Sequence, residues 1–151
     1  MEGCQYVIHV DSPFDIWSPF NHDKFVKPAV EGTKAVLEAS AKHGVKRVVL
    51  TSSTAAVVDP SDSRVINTEE SFIKLDRTTP AFPRSKLLME EAAAKTLKEL
   101  RPKFDMVTLC PGFMIGPTLL GTSFAEERWL ADIVTGHLLM VPELHMTFVD
   151  V

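Results

Sequence analysis

Apolar and polar positions along the chain alternate between the period of a β-strand and that of an α-helix. A short, nearly continuous apolar run at residues 6–10 predicts a first strand of the kind that is covered on both faces. From residue 23 to residue 43 the apolar and small side chains recur with the helical period, which predicts a helix that Gly44 ends. Because proline is best tolerated in a first turn, Pro28 predicts that the regular part of this helix begins near Lys27.

The alternation continues to the end of the chain. The later predicted elements are a strand at 45–50, a polar surface loop at 59–79, a helix from Pro83 to about Leu100, a strand at 105–109, a helix at about 124–135 and a strand at 146–151. Strands that alternate with helices are typical of a parallel sheet. The predicted fold class is therefore α/β, in one domain of 151 residues.

Charge and composition exclude several classes of function. The 16 Lys and Arg residues against 20 Asp and Glu give a net charge of −4 without a basic block, so neither nucleic acid nor an anionic membrane is an expected partner. Residues 106–125 carry no charge, but Pro111 and Pro117 interrupt them, so they are not expected to span a membrane. Cys4 and Cys110 lie far apart and form no CxxC pair, which favours a reducing, cytoplasmic location.

Small hydroxyl residues and glycine follow the predicted strands. In an open parallel sheet, ligands bind beyond the carboxyl ends of the strands. Those ends carry Asp11-Ser12-Pro13, Thr51-Ser52-Ser53 and Pro111-Gly112, and this edge is the expected site. Turn formation explains the hydroxyl residues equally well. The five histidines show no ligand spacing, so no metal site is predicted, and His9 is interpreted as a partly buried strand residue.

Phe82 and Lys86 are four residues apart at the start of a predicted helix and should share one face. Without further context, a packing ring and a solvated lysine are the favoured interpretation of this pair.

Five blocks of the sequence together resemble a known superfamily. They are Gly3 to Val10 with Ser12-Pro13-Phe14, Pro28-Ala29-Val30-Glu31-Gly32-Thr33, Val45 to Ser53, Ser85-Lys86-x-x-x-Glu90 and Pro111-Gly112-x-x-x-Gly116-Pro117. In this order they resemble the extended short-chain dehydrogenase/reductase superfamily, and within it the dihydroflavonol-4-reductase-like group, beside the NAD-dependent epimerase/dehydratases. The resemblance covers essentially the whole chain. It implies a partial Rossmann domain at residues 1–151 that lacks the first βαβ unit and the C-terminal substrate region.

The resemblance also implies site residues. Ser53 matches the catalytic serine that hydrogen-bonds the substrate carbonyl, and Lys86 matches the lysine that binds the nicotinamide ribose and lowers the pKa of a tyrosine four residues earlier. Backbone stretches that touch the cofactor's ribose and nicotinamide are matched by Asp11, Ser12, Pro13, Thr51, Ser52, Pro111 and Gly112. The implied cofactor is NADP or NAD, and the implied substrate is a small carbonyl compound or alcohol.

Two departures from the family pattern affect activity. The tyrosine position holds Phe82, and the only tyrosine, Tyr6, is predicted to be buried in the first strand, so the proton donor is missing. None of the seven glycines forms the Gly-x-x-Gly-x-x-Gly turn that holds the cofactor pyrophosphate, so the residue that selects NAD or NADP is also absent. Asp11 is a third, smaller departure, because the family has a small neutral residue there.

The sequence therefore predicts an oxidoreductase family member with little or no activity and weak cofactor binding. Two alternatives remain open: a non-catalytic module that binds a small metabolite or a partner, and a fragment of a complete epimerase/dehydratase.

In the family's strand order a missing strand would pair with residues 6–10. We therefore expect that edge to cause self-association or dimerisation, and we expect Val26, Val30 and Leu37 to become more exposed.

Overall fold

The computed structural model describes residues 1–10, 12–14, 18–59, 66–117, 125–137 and 147–150. The elements in chain order are β1 (Tyr6–His9), α1 (His22–Lys42), β2 (Arg47–Thr51), a 3₁₀ turn (Thr54–Ala56), α2 (Ala81–Leu100), β3 (Asp105–Leu109), β4 (Phe113–Ile115), α3 (Ala125–Val134) and β5 (Phe148–Asp150). The predicted strands and helices are all present. The sequence pattern missed the 3₁₀ turn and β4, because three residues are too few to show a period.

Three of the strands form one parallel sheet in the order β1-β2-β3. The register places Ile8 beside Val49 and Val49 beside Val107, so the three carboxyl ends lie at one edge. β4 and β5 pair separately, also in parallel. The parallel α/β arrangement predicted from the sequence is confirmed.

Helix α1 begins earlier than its proline suggested. Asn21 caps it, since the Asn21 side chain accepts a hydrogen bond of 3.1 Å from the backbone N–H of Lys24. The expectation that the regular helix begins near Lys27 is wrong. Pro28 lies inside the helix on its exposed side, where water can take the place of the amide that proline lacks. Gly44 ends the helix region with a φ of +67°, as predicted.

Both long helices pack on the same face of the sheet. Helices α1 and α2 contact each other, and their buried side chains meet alternate residues of the strands in a core formed by Ala29, Leu37, Val45, Val48, Leu50, Met89, Ala93 and Phe104. Leu37 is only 1% exposed, so the expectation that it becomes exposed is wrong. Leu37 belongs to the core shared by the two helices and β2, whereas Val26 and Val30 are half-buried.

The opposite face of the sheet is open among the described residues. Tyr6, Ile8, Val10, Val107 and Leu109 point to it, and their exposed fractions run from 42% to 70%. The predictions that β1 is covered on both faces, and that Tyr6 is buried, are wrong. Successive strand residues point to opposite faces, and the described helices cover only one of those faces. A continuous apolar run does not report which face is covered.

Within the described residues, none of the helices is both long enough and apolar enough to cross a membrane. The uncharged stretch at 106–125 contains β3 and β4, with residues 118–124 outside the described part of the chain.

Candidate active site

The ends of β2 and β3 are joined at the edge where a ligand was expected. The backbone N–H of Ser52 donates to the carbonyl of Leu109 at 2.7 Å, and that of Thr54 donates to the carbonyl of Pro111 at 3.0 Å. These bonds place residues 51–54 beside residues 109–111. Ser12 and Pro13 follow β1 and are half-buried, whereas Asp11 lies outside the described residues.

Ser53 occupies the position just beyond β2. Its Oγ accepts a hydrogen bond of 3.1 Å from the N–H of Ala55 and thereby caps the 3₁₀ turn that follows. The side chain is half-buried. A hydroxyl that accepts with its oxygen keeps its hydrogen for donation. The turn-forming role and a role in binding a carbonyl oxygen are therefore compatible in one side chain.

Lys86 is buried rather than solvated. Only 5% of the residue is exposed, and Nζ donates to the carbonyl oxygen of Thr51 at 3.3 Å. The interpretation of Lys86 as a solvated surface lysine is wrong. A buried ammonium is costly unless it has hydrogen-bond partners. Helix α2 places Lys86 next to the end of β2, where the carbonyl oxygen of Thr51 accepts from it.

Phe82 lies one turn before Lys86 on the same helix face, as predicted. Its ring centre is 5.6 Å from Lys86 Nζ, and its edge meets the ring of Phe14 with 4.8 Å between centroids. The Phe82 ring therefore lies next to the Lys86 ammonium, and a phenyl ring neither donates nor accepts a proton.

Tyr6 does not replace the missing donor. It is 65% exposed on the open face, at the amino end of β1, whereas the site lies at the carboxyl end. His9 is half-buried, with Nε2 3.2 Å from the hydroxyl of Thr33, which agrees with its interpretation as a partly buried strand residue.

A carboxylate lies behind the ends of β2 and β3. The hydroxyl of Ser52 donates to Oε1 of Glu90, and Sγ of Cys110 lies 3.8 Å from the same oxygen. Burial first, and the Glu90 charge second, raise the pKa of the Cys110 thiol. Sequence reasoning named Glu90 only as part of a family block. Its four-residue spacing from Lys86 was the signal that places both side chains on one helix face.

Gly112 is required by a close approach of backbone. A Cβ at this position would overlap the carbonyl and the side chain of Thr147, whose carbonyl also accepts from the N–H of Phe113 at 2.8 Å. The sequence suggested that Gly112 marks a place where backbone comes close to a ligand. In the structure, the group that comes close to Gly112 is Thr147 of the same chain.

The described residues hold no cluster of three potential metal-ligating side chains. A groove of about 480 Å³ lies along the first half of α1 and includes Arg84 of α2. Its lining contains none of the candidate site residues.

A parallel sheet with a serine beyond its second strand and a buried lysine on the next helix defines part of a Rossmann-type short-chain dehydrogenase/reductase. Residues 1–118 match the model of the 3-beta hydroxysteroid dehydrogenase/isomerase family, and the chain belongs to that family.

Relatives of known activity show the same assignment. The chain is 35% identical to cinnamoyl-CoA reductase 1 of Arabidopsis thaliana over 100% of this chain and 44% of that protein. It is 27% identical to dihydroflavonol 4-reductase of Solanum lycopersicum over 99% of this chain and 41% of that protein. Yeast methylglyoxal/isovaleraldehyde reductase Gre2, solved with NADPH, superposes with a TM-score of 0.82 at 30% identity, over 97% of this chain and 48% of that one.

The chain thus spans less than half the length of each of these three proteins. All three are reductases by name.

Proposed function

We propose that this chain forms the nicotinamide and substrate side of an NAD(P)-dependent oxidoreductase site for a carbonyl compound or alcohol, and that it sustains little or no turnover by itself. Ser53 and Lys86 are its reactive-site residues. The observation that carries the proposal is the position of the Phe82 ring, 5.6 Å from Lys86 Nζ, where the family has a phenol.

The residues present fit one part of the cofactor. Lys86 would hold the nicotinamide ribose, and the backbone at Ser12, Pro13, Thr51, Ser52, Pro111 and Gly112 would border the ribose and nicotinamide. The resemblance assigns Asp11 to the same stretch, but Asp11 lies outside the described residues. Ser52 as a whole is 3% exposed; its hydroxyl is bonded to Glu90 and its N–H to the carbonyl of Leu109, so neither donor is directed at the cofactor. When bound, NADP or NAD supplies the hydride. No glycine-rich turn is present in the sequence for the pyrophosphate.

The chain's own residues would bind and polarise the substrate. The Ser53 hydroxyl donates a hydrogen bond to the substrate carbonyl oxygen, and the nearby ammonium of Lys86 favours the negative charge that develops there. Reduction also requires a proton for the alkoxide. Loss of a positioned general acid typically lowers a rate by about 10²–10⁴-fold. The side chain of Phe82 therefore predicts slow or absent turnover.

Calorimetric titration of the chain with NADPH and NADH tests the cofactor part of the proposal. We expect very weak binding, because the sequence has no glycine-rich turn to hold the pyrophosphate. Saturable binding at low micromolar concentration corresponds to about 8 kcal/mol, more than the nicotinamide side alone should provide. That result would overturn the proposal.

We further propose that the chain self-associates through β1 and resides in the cytoplasm. β1 is the outer strand of the described three-stranded sheet and carries no proline or lysine. Unpaired edge backbone beside apolar side chains recruits other chains. Cys4 and Cys110 are both free thiols, which suits a reducing compartment.

A further inference from the structure

Glu90 connects helix α2 to the ends of two strands. Its Oε1 accepts from the hydroxyl of Ser52, which follows β2 and is 3% exposed, and lies 3.8 Å from Sγ of Cys110, which follows β3. A buried hydroxyl is costly without an acceptor, and a charged acceptor makes the stronger bond. The carboxylate therefore stabilises the position of both strand ends relative to the helix.

Two successive turns of α2 thus fix two successive residues of the site. Lys86 donates to the carbonyl of Thr51, and Glu90, one turn later, accepts from Ser52. The next residue is Ser53, whose Oγ is already committed as a cap to the N–H of Ala55. The direction of the Ser53 hydroxyl hence depends on how rigidly residues 51 and 52 are held.

We propose that Glu90 is a positioning residue for the ligand-binding edge. Its carboxylate holds Ser52 and Cys110 so that the Ser53 hydroxyl, the Thr51 carbonyl and the backbone at Pro111 keep their relative places. That this positioning matters for ligand binding rests on the proposed function of Ser53 and Lys86. The contacts of Glu90 with Ser52 and Cys110 are observed independently of that proposal.

Two substitutions separate the acceptor from the charge. Glu90→Gln keeps an acceptor oxygen for Ser52 and removes the charge, whereas Glu90→Leu removes both. Glu91→Leu is the matched control, because Glu91 is the neighbouring exposed carboxylate on the same helix. All variants carry Cys4→Ser, which leaves Cys110 as the only thiol.

Amide hydrogen exchange measures the positioning. The N–H groups of Ser52 and Thr54 bond across to β3 and its following residue. In Glu90→Leu we expect both to exchange about tenfold faster, a change of about 1.4 kcal/mol, while the amides of Val49 and Ala93 are unchanged. Glu91→Leu should match the parent, and Glu90→Gln, which keeps a neutral and weaker acceptor, should lie between the parent and Glu90→Leu. Unchanged Ser52 and Thr54 amides, or equal acceleration at Val49 and Ala93, would overturn the proposal.

Thiol alkylation measures the second contact. The Glu90 charge contributes to the raised pKa of Cys110. In both Glu90 variants the alkylation rate of the Cys110 thiol should therefore reach half its maximum at a lower pH than in the parent, and in Glu91→Leu this midpoint should not change. A midpoint unchanged by loss of the charge would contradict the contact. If Glu90→Leu does not fold, Ser52→Ala removes the donor instead, and it should accelerate exchange both at the backbone N–H of position 52 and at that of Thr54.

A ligand arm distinguishes this proposal from the proposed function. Nicotinamide mononucleotide at millimolar concentration should protect the amides at 52–54 in the parent and in Glu90→Gln, and not in Glu90→Leu. Absence of protection in the parent would count against nicotinamide binding at this edge. The exchange and alkylation results would still decide the role of Glu90.

Discussion

The Nζ atom of Lys86 faces the ring of Phe82 at 5.6 Å and donates to the carbonyl of Thr51 at 3.3 Å. The ammonium is therefore buried between an aromatic face and a strand end. In a site with a phenol at position 82, the same ammonium would lower the phenol's pKa. Here the Lys86 ammonium lies beside a phenyl ring, which has no group whose pKa it could lower.

Phe82→Tyr separates the missing proton donor from the missing pyrophosphate site. We expect no carbonyl reduction by the 151-residue variant, because cofactor binding remains weak. In a chimera that adds a complete family N-terminal half and C-terminal portion, the same substitution should raise turnover by about 10²–10⁴-fold. Initial rates with NADPH measure both.

Phe14→Tyr is the control, because it places a phenol on the other ring of the Phe14–Phe82 pair. This substitution should not raise turnover. If the chimera with Phe82 is as fast as the chimera with tyrosine, the proton-donor argument is wrong. Water relayed through Ser53 would then be the donor to examine.

Self-association should depend on the open face of the sheet. Ile8 is 70% exposed there, so Ile8→Lys adds an edge charge at little cost to the core. Sedimentation velocity should show the parent as dimers or larger species and the variant shifted toward monomer. Ala94→Lys, at an exposed position of α2, is the control and should behave as the parent. A monomeric parent with strong amide protection at residues 7–10 would refute self-association.

Gly112→Ala should destabilise the chain because the new Cβ overlaps Thr147. Overpacking of this kind typically costs about 1–3 kcal/mol of unfolding free energy. Gly32→Ala is a control of opposite sign, since a Cβ there meets nothing within 4 Å and alanine is about 0.5–1 kcal/mol more favourable in a helix. Urea denaturation of both variants measures the difference. Equal stability of Gly112→Ala and the parent would show that the Thr147 approach is not tight.

Asp76 should contribute stability that depends on pH. Hydrogen bonds from the Thr78 side chain first, then from the backbone N–H of Thr78 and from Thr79, hold the pKa of Asp76 below its ordinary value. A carboxyl with a lowered folded-state pKa stabilises the fold above its unfolded pKa, about 3.9, and loses that contribution as the pH falls through the folded value.

Asp76→Asn should therefore be less stable than the parent at neutral pH, and the difference should narrow as the pH falls below about 4, disappearing only below the lowered pKa of folded Asp76. Thermal unfolding between pH 3 and pH 7 measures it. Glu38→Gln, at an exposed position of α1, should follow the parent across the whole range. A constant difference for Asp76→Asn would mean that the ionised carboxylate is not the stabilising species.

The periodic pattern predicted β1 to β3, α1 to α3 and β5, but not the 3₁₀ turn or β4. The parallel register then brings residues 51–54 beside residues 109–111, at the edge where the sequence predicted the site. Local signals such as the apolar period and glycine at a helix end are encoded by neighbouring residues. They can therefore be read without the fold.

Burial and pairing across the chain were decided only by the tertiary structure. The sequence suggested a buried Tyr6, a solvated Lys86 and an exposed Leu37, and the structure reverses all three. Each outcome depends on which face of the sheet the described helices cover, and a strand's own residues do not report that. Likewise Glu90, Ser52 and Cys110 come from three elements separated by 20 and 38 positions, so only packing brings their atoms together.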